Sequence, residues 1–347
     1  MRKITSLLLI SILILGMFTG CKLSKTRVVT DCSGTKVEIP DNPRKVVVTS
    51  PGACAFMYAM GLGDRVTGFY KLSLVNYYAH YAHGDYEYIS SAKFDDIDRY
   101  EMNPNAEDLI DSGADLVILE DAEYAKELRN KNINAICFHY TNKDELYFAI
   151  DMLGEIFGSD AKEYAERWKA KLESTIDTIA DYLADHPELD RCNVLWIESV
   201  KDNLETETTR GLVEFSIQAS GGDLMASSFK GFEEIDPKTA LTLNPDTILI
   251  DSYDNFEVLI NDPLWQEVPA VSNDRTYPLS ANLVLEDCDI YVVELPLILI
   301  YLFNTMYHPE SNQIEYDEIW DFCKEYDQAV DEEQVSAVHF CFFCQYI

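Results

Sequence analysis

Positive charge is scarce in this chain: 27 Lys and Arg stand against 61 Asp and Glu over 347 residues, a net charge of −34. So acidic a surface repels phosphate backbones and anionic headgroups, which excludes DNA, RNA and charge-driven attachment to a membrane surface. Low-complexity tracts are also lacking, and an apolar content of 47% suffices for real cores. Beyond residue 21 no stretch has the roughly 20 apolar residues that a membrane-spanning helix needs. Gly61-Leu62-Gly63 lacks the third glycine and the preceding strand of a dinucleotide fingerprint. Nothing supplies a nucleophile with its base, or a tight ligand cluster. An enzyme is therefore not expected, and a two-lobed, metal-dependent surface enzyme stands only as the rival from another class.

The apolar run that does exist lies at the start. Arg2 and Lys3 precede Ile4 to Leu15, and Phe18-Thr19-Gly20-Cys21 follows with the pattern of a bacterial lipobox. Residues 1–21 then form a lipoprotein signal peptide, and lipidated Cys21 anchors the chain at the extracytoplasmic face of the cell membrane. An ordinary secretory signal with a chance cysteine is the other reading. Eight further cysteines are scattered, and a chain of this length needs no disulfide to fold. Cys137, within Ala135-Ile136-Cys137-Phe138, reads as a buried thiol.

In the middle of the chain Ala161, Ala165, Trp168, Leu172, Ile176, Ile179 and Leu183 recur at spacings of three and four. That spacing predicts one long helix over Asp160 to about Asp185, with Ser159 as its N-cap and His186-Pro187 closing it. Short apolar strands alternate with helices on both sides, the pattern of parallel α/β layering. Before the long helix, strands are expected at Lys45–Thr49, Arg65–Tyr70, Asp115–Leu119 and Asn134–Phe138, after a hairpin at Arg27–Ile39. After it the pattern restarts at Asn193–Ile197. Glu107–Glu120 and Lys238–Asp251 align without a gap as helix, turn, aspartate, strand and acid. The expected fold is α/β, two Rossmann-like lobes joined by a long interlobe α-helix. Its segments are an N-terminal lobe at 22–158, the helix at 159–186, a C-terminal lobe at 187–330 and an atypical tail at 331–347. Ligands of such sheets bind in a crevice at the carboxyl ends of the strands.

From Arg27 to Glu310 the chain resembles the ABC-transporter substrate-binding proteins that deliver ferric siderophores, haem and cobalamin. The cues are Pro40-Asp41-Asn42-Pro43-Arg44-Lys45-Val46, Met60-Gly61-Leu62-Gly63-Asp64-Arg65-Val66 and Asn105-Ala106-Glu107-Asp108-Leu109-Ile110 in the first half. In the second half they are Asn244-Pro245-Asp246-Thr247-Ile248, Leu264-Trp265-Gln266-Glu267-Val268-Pro269, and a closing helix at Leu295–Met306 before His308-Pro309-Glu310. The resemblance implies a monomeric receptor that binds a metal chelate between its lobes and docks on an ABC permease driven by its ATPase. A ferric siderophore is the expected ligand, with haem or cobalamin as alternatives and no catalytic cofactor. It also implies an acidic docking residue on each lobe. Glu107 matches the first; Lys238 stands in the second place, and Glu233 or Glu234 lies nearby.

Loops following strands should line the crevice, which nominates Ser50, Tyr70, Tyr77, Tyr78, His80, His83, Trp196, Arg210 and Tyr253. The stretch Asn76 to Tyr86 is dense in aromatic rings, which offer flat faces to a tetrapyrrole or an aryl siderophore. His80 and His83, three apart, fit either a metal pair on one helical face or a packed aromatic loop. Arg210 suits a fork onto carboxylate or catecholate oxygens, or equally a surface ion pair. Trp196 fits the cleft or the core. In the tail, His339, Cys341 and Cys344 are one ligand short of a closed zinc site, which leaves a Cys341–Cys344 disulfide or an unstructured apolar end.

Overall fold

The expected alternation of strand and helix is carried through the computed structural model, which describes residues 25–71, 98–200, 203–206, 211–225, 233–250, 253–278, 292–293 and 295–307. The first described elements are β1 (Thr26–Thr30) and β2 (Lys36–Pro40), an antiparallel hairpin. Asp31 shapes its turn: Oδ1 accepts from Ser33 N at 3.0 Å and from Thr35 N at 3.1 Å.

The first lobe is a five-stranded, wholly parallel sheet. Its elements run β3 (Val46–Val48), α1 (Pro51–Ala59), β4 (Val66–Tyr70), β5 (Asp98–Tyr100), α2 (Ala106–Ser112), β6 (Leu116–Leu119), α3 (Ala122–Asn130) and β7 (Ala135–Cys137). The spatial order β5-β4-β3-β6-β7 is that of a Rossmann half, with its switch point between β3 and β6. Side-chain alternation divides the strands between two cores. Val46, Val48, Leu116, Ile118 and Ile136 face one cluster; Val47, Val117, Leu119 and Ala135 face another. Past the end of β3, Ser50-Pro51-Gly52 starts α1. Ser50 Oγ accepts from Ala53 N at 3.3 Å, and Pro51, with no N–H to satisfy, suits the first turn.

Next come α4 (Lys143–Phe157) and α5 (Ser159–Asp185), the long interlobe helix. Ser159 is the first helical residue rather than the cap. Gly158 takes the cap position at φ 106°, a conformation closed to L side chains, and so turns the chain sharply from α4 into α5.

The second lobe comprises β8 (Cys192–Val200), β9 (Asn203–Thr206), α6 (Gly211–Ala219), β10 (Gly222–Leu224), β11 (Glu233–Glu234), α7 (Pro237–Leu243), β12 (Thr247–Ile250), α8 (Tyr253–Asn261), α9 (Pro269–Ser272), β13 (Thr276–Pro278) and α10 (Leu295–Tyr307). Strands β10, β8, β12 and β13 are parallel, while β9 and β11 add an antiparallel extension to the end of β8.

The aligned stretches of the two lobes are built alike. Asn105 caps α2 and Asp236 caps α7; Gly113 (φ 65°) and Asn244 (φ 52°) end them in left-handed conformation. Asp115 Oδ2 then accepts from Arg44 N at 2.8 Å and Lys45 N at 2.9 Å, and Asp246 Oδ2 accepts from Asn193 N at 2.8 Å. Each aspartate pins the start of its lobe's central strand, β3 or β8.

Helix α5 is fastened at both ends. Trp168, fully buried, packs edge-on against Phe56 of α1 at 5.2 Å, and its Nε1 donates to Val293 O at 2.8 Å. Near the other end Tyr182 meets Phe303 of α10 at 5.3 Å. One apolar cluster thus runs from the first sheet through α5 to the closing helix. Among the described residues no helix is long and apolar enough to cross a membrane.

Candidate functional site

The carboxyl ends of the parallel strands gather the segments that can hold a ligand. In the first lobe these follow β3 at Ser50, β4 at Tyr70, β6 at Glu120 and β7 at Phe138. In the second they follow β8 and β12. Helices α2 and α7 return antiparallel to their strands, so their N-termini, with Glu107 and Lys238, lie at this same end.

The lobes touch at this end. Thr141, just past β7, presents its carbonyl to Gly211 at the start of α6; a Cβ on Gly211 would lie 1.5 Å from Thr141 O. Only a residue without a side chain fits there. Thr141 is itself held: its N–H and hydroxyl donate to Glu145 Oε2 at 2.7 and 2.8 Å, and Asn142 Oδ1 accepts from Glu145 N at 3.0 Å. The Thr141 hydroxyl and N–H bonds hold the Glu145 carboxyl below its usual range.

Beside this contact Lys143 links three helices. Its ammonium pairs with Glu173 of α5 at 2.7 Å and lies 5.4 Å from the Tyr147 ring of α4 and 5.8 Å from the Phe215 ring of α6. Tyr147 OH also donates to Glu173 Oε1 at 2.7 Å. The Lys143 bond holds the Glu173 carboxyl below its usual range, whereas burial and then the carboxylate push the Tyr147 phenol up. The cluster ties both lobes to the interlobe helix.

Of the residues nominated from sequence, Ser50 is fully buried and its hydroxyl is engaged as the cap of α1. Tyr70 is half-buried at the end of β4. Trp196 is only 3% exposed and packs among Leu249, Ile298 and Leu302, the core position of its two readings. Tyr253 begins α8 and Glu234 lies on β11; neither side chain is described. Glu107 is exposed in the first turn of α2. Cys21 and the leader, Tyr77, Tyr78, His80, His83, Arg210, His308-Pro309-Glu310 and the tail with His339, Cys341 and Cys344 lie outside the described residues. Gly211, Thr141 and Lys143 are not among the nominated residues. Asn142-Lys143-Asp144-Glu145, with its cap-and-glutamate spacing, is the signal that could have pointed to this corner.

Among the described residues no group of three or more His, Cys, Asp and Glu is placed to bind a metal ion. Burial pushes the Cys54 thiol at the start of α1 up to about 12, which makes it a poor nucleophile.

Comparison with known proteins places this architecture. The family model described as "Periplasmic binding protein" matches residues 46–283. An uncharacterized ABC transporter substrate-binding lipoprotein of Bacillus subtilis, YvrC, is 23% identical over 263 residues, 74% of this chain and 79% of its own. A periplasmic solute-binding protein of Veillonella parvula superposes with a TM-score of 0.69 at 18% identity, covering 90% of this chain and 97% of that one. The MolA protein of Haemophilus influenzae, bound to molybdate, gives 0.67 at 18% identity over 87% and 98%. The two superposed structures share this fold.

Proposed function

Because this chain belongs to the periplasmic binding protein family, the substrate-binding arm of ABC transport, we propose that it is the lipid-anchored receptor of an importer for a ferric siderophore or similar iron complex. Cys21 carries the anchor at the extracytoplasmic face, as the name of the Bacillus subtilis relative suggests for that protein. The observation that carries the reading is the meeting of two sheets' carboxyl ends across Gly211 and Thr141, with a rigid helix fastened to both lobes. Such a frame clasps a small molecule with little reorganisation, so binding and not chemistry is the activity.

In this reading Tyr70 continues into the aromatic segment with Tyr77, Tyr78, His80 and His83 to form one wall. Arg210 and Tyr253 serve the other, and Ser50 and Trp196 support the floor from within the core. The loaded receptor docks on its permease through the helix N-termini at the same end. Glu107 supplies an acid on the first lobe. On the second, the structurally equivalent residue is Lys238, so the permease surface there carries an acid or meets Glu234 instead.

Thermal unfolding of residues 22–347 against ferric siderophores, haem, cobalamin, molybdate and free metal ions tests the proposal. A ligand at a hundredfold excess over its dissociation constant adds about 2.7 kcal/mol of stability. Stabilisation by a ferric siderophore alone supports the reading. Stabilisation by haem or cobalamin moves the ligand within the class, and a response to bare metal ions alone would overturn the chelate assignment.

A further inference from the structure

Four cysteines fall among the described residues, all with free thiols, and the backbones of two of them meet. Cys32 follows β1 in the hairpin turn, and Cys137 ends β7. Cys32 N donates to Cys137 O at 3.1 Å, and Cys137 N donates to Asp31 Oδ2 at 3.1 Å. Both polar backbone groups of Cys137 are therefore held by the dipeptide Asp31-Cys32. Asp31 is fully buried and also meets Arg129 at 3.5 Å, while Arg129 donates to Ala135 O at 2.9 Å, which fixes the register of turn on strand. The Cys32 N–H to Cys137 O bond makes the two residues backbone neighbours, as a disulfide, which spans roughly 4.4–6.8 Å between Cα atoms, requires. Cys137 Sγ is turned to Glu120 O at 3.1 Å, while Cys32 is half-buried and packs against the edge of the large core. Cys54 and Cys192 are buried in separate clusters.

We propose that Cys32 and Cys137 form a redox pair that closes into an intramolecular disulfide, stapling the N-terminal hairpin to the last strand of the first lobe. The staple would fix the hairpin against the segment that leads from β7 to Thr141 and the second lobe. Closure turns the Cys137 thiol away from Glu120 O and towards Cys32. The oxidant is an external disulfide. The thiolate of the more accessible Cys32 attacks one of its sulfurs, forming a mixed disulfide and expelling one thiol. The Cys137 thiolate then attacks the Cys32 sulfur, forming the internal bond and expelling the second thiol. Two electrons pass from the protein to the external disulfide, and the two protons leave on its thiols. An extracytoplasmic position supplies oxidants of this class. The pairing follows from local geometry alone, so its failure leaves the receptor reading standing. Burial pushes the Cys32 thiol up to about 11 and the Cys137 thiol up to about 12, so closure accelerates towards alkaline pH.

The test is peptide mapping of the full chain after equilibration with oxidised glutathione at about pH 8.5, near the free-thiol pKa, followed by alkylation of the unfolded protein. The expected product is a Cys32–Cys137 linked peptide, lighter than its two free parts by two hydrogens, with Cys54 and Cys192 alkylated. Oxidation should raise the unfolding temperature of the wild type and leave that of Cys32→Ser unchanged. Alkylation of both Cys32 and Cys137 after oxidation, or linkage of either to another cysteine, would overturn the pairing. The wild-type map decides this even where a variant fails to fold.

Discussion

Replacing Trp168 by Phe should weaken the whole frame, because this one ring joins three parts of the molecule. It is fully buried in α5, edge-on to Phe56 of α1 at 5.2 Å and to Tyr147 of α4 at 6.3 Å. Its Nε1 donates at 2.8 Å to the carbonyl of Val293, a residue only 1% exposed. Phenylalanine keeps an aromatic face but strands that carbonyl, at a cost of about 1–3 kcal/mol. The smaller ring leaves a void worth about 1 kcal/mol more. The expected loss is therefore about 2–4 kcal/mol, and Trp168→Ala should exceed it. Urea unfolding followed by far-ultraviolet circular dichroism measures this, with an unchanged slope against denaturant showing that the native state remains compact. A loss below about 0.5 kcal/mol would refute the reasoning, since that is the scale of an unremarkable surface change.

Gly211→Ala places a Cβ against Thr141 O and must push α6 off the first lobe; overpacking of this kind costs about 1–3 kcal/mol and should weaken ligand binding along with stability. Binding and stability that both match wild type would remove the interlobe contact from the account. Glu173→Gln should be less stable than wild type at neutral pH. Lys143 lowers the folded-state pKa of Glu173, so the stabilisation is present above the ordinary carboxylate range and lost as pH falls through the lowered value. The side chain is 46% exposed, so solvent screening limits the difference to a few tenths of a kcal/mol, and urea midpoints that differ equally at every pH would contradict it. Lys238→Glu separates the two arrangements of the second lobe, weakening docking where the permease presents an acid to Lys238 and strengthening it where a base meets Glu234, and Glu107→Lys should weaken docking in either case. ATPase stimulation in reconstituted membranes reads both, and indifference to Glu107→Lys would remove α2 from the docking surface.

Much of the frame was legible in the sequence because each lobe repeats one local grammar. Glu107–Glu120 and Lys238–Asp251 align through apolar strand runs and a shared aspartate. In the structure those aspartates clamp β3 and β8, and helix, left-handed turn and strand fall at equivalent positions. The three-and-four spacing through Trp168 marked α5 for the same reason, that a buried helical stripe writes itself into sequence. Its start did not, since Ser159 looks like a cap while the φ of Gly158 sets the corner. Helix α4 is not among the expected elements, although Asn142 and Glu145 mark its first turn and Leu146, Ala149, Ile150 and Leu153 recur at helical spacing. Charged β9 and β11 carry no apolar alternation, so the antiparallel extension of β8 could not be read. The contact of Gly211 with Thr141 joins residues distant in the chain, and local pattern does not record such meetings. Trp196 shows the same limit: one apolar ring at a strand end reads as cleft or core until its neighbours are known.

The central claim is that the two lobes together hold one small iron complex. Calorimetric titration of residues 22–347 with a ferric siderophore, beside haem and cobalamin, tests it most directly. The account predicts saturable binding of one ligand per chain for the siderophore, weakened by Gly211→Ala and unaffected by Glu107→Lys. Absence of saturable one-to-one binding with every complex would contradict it.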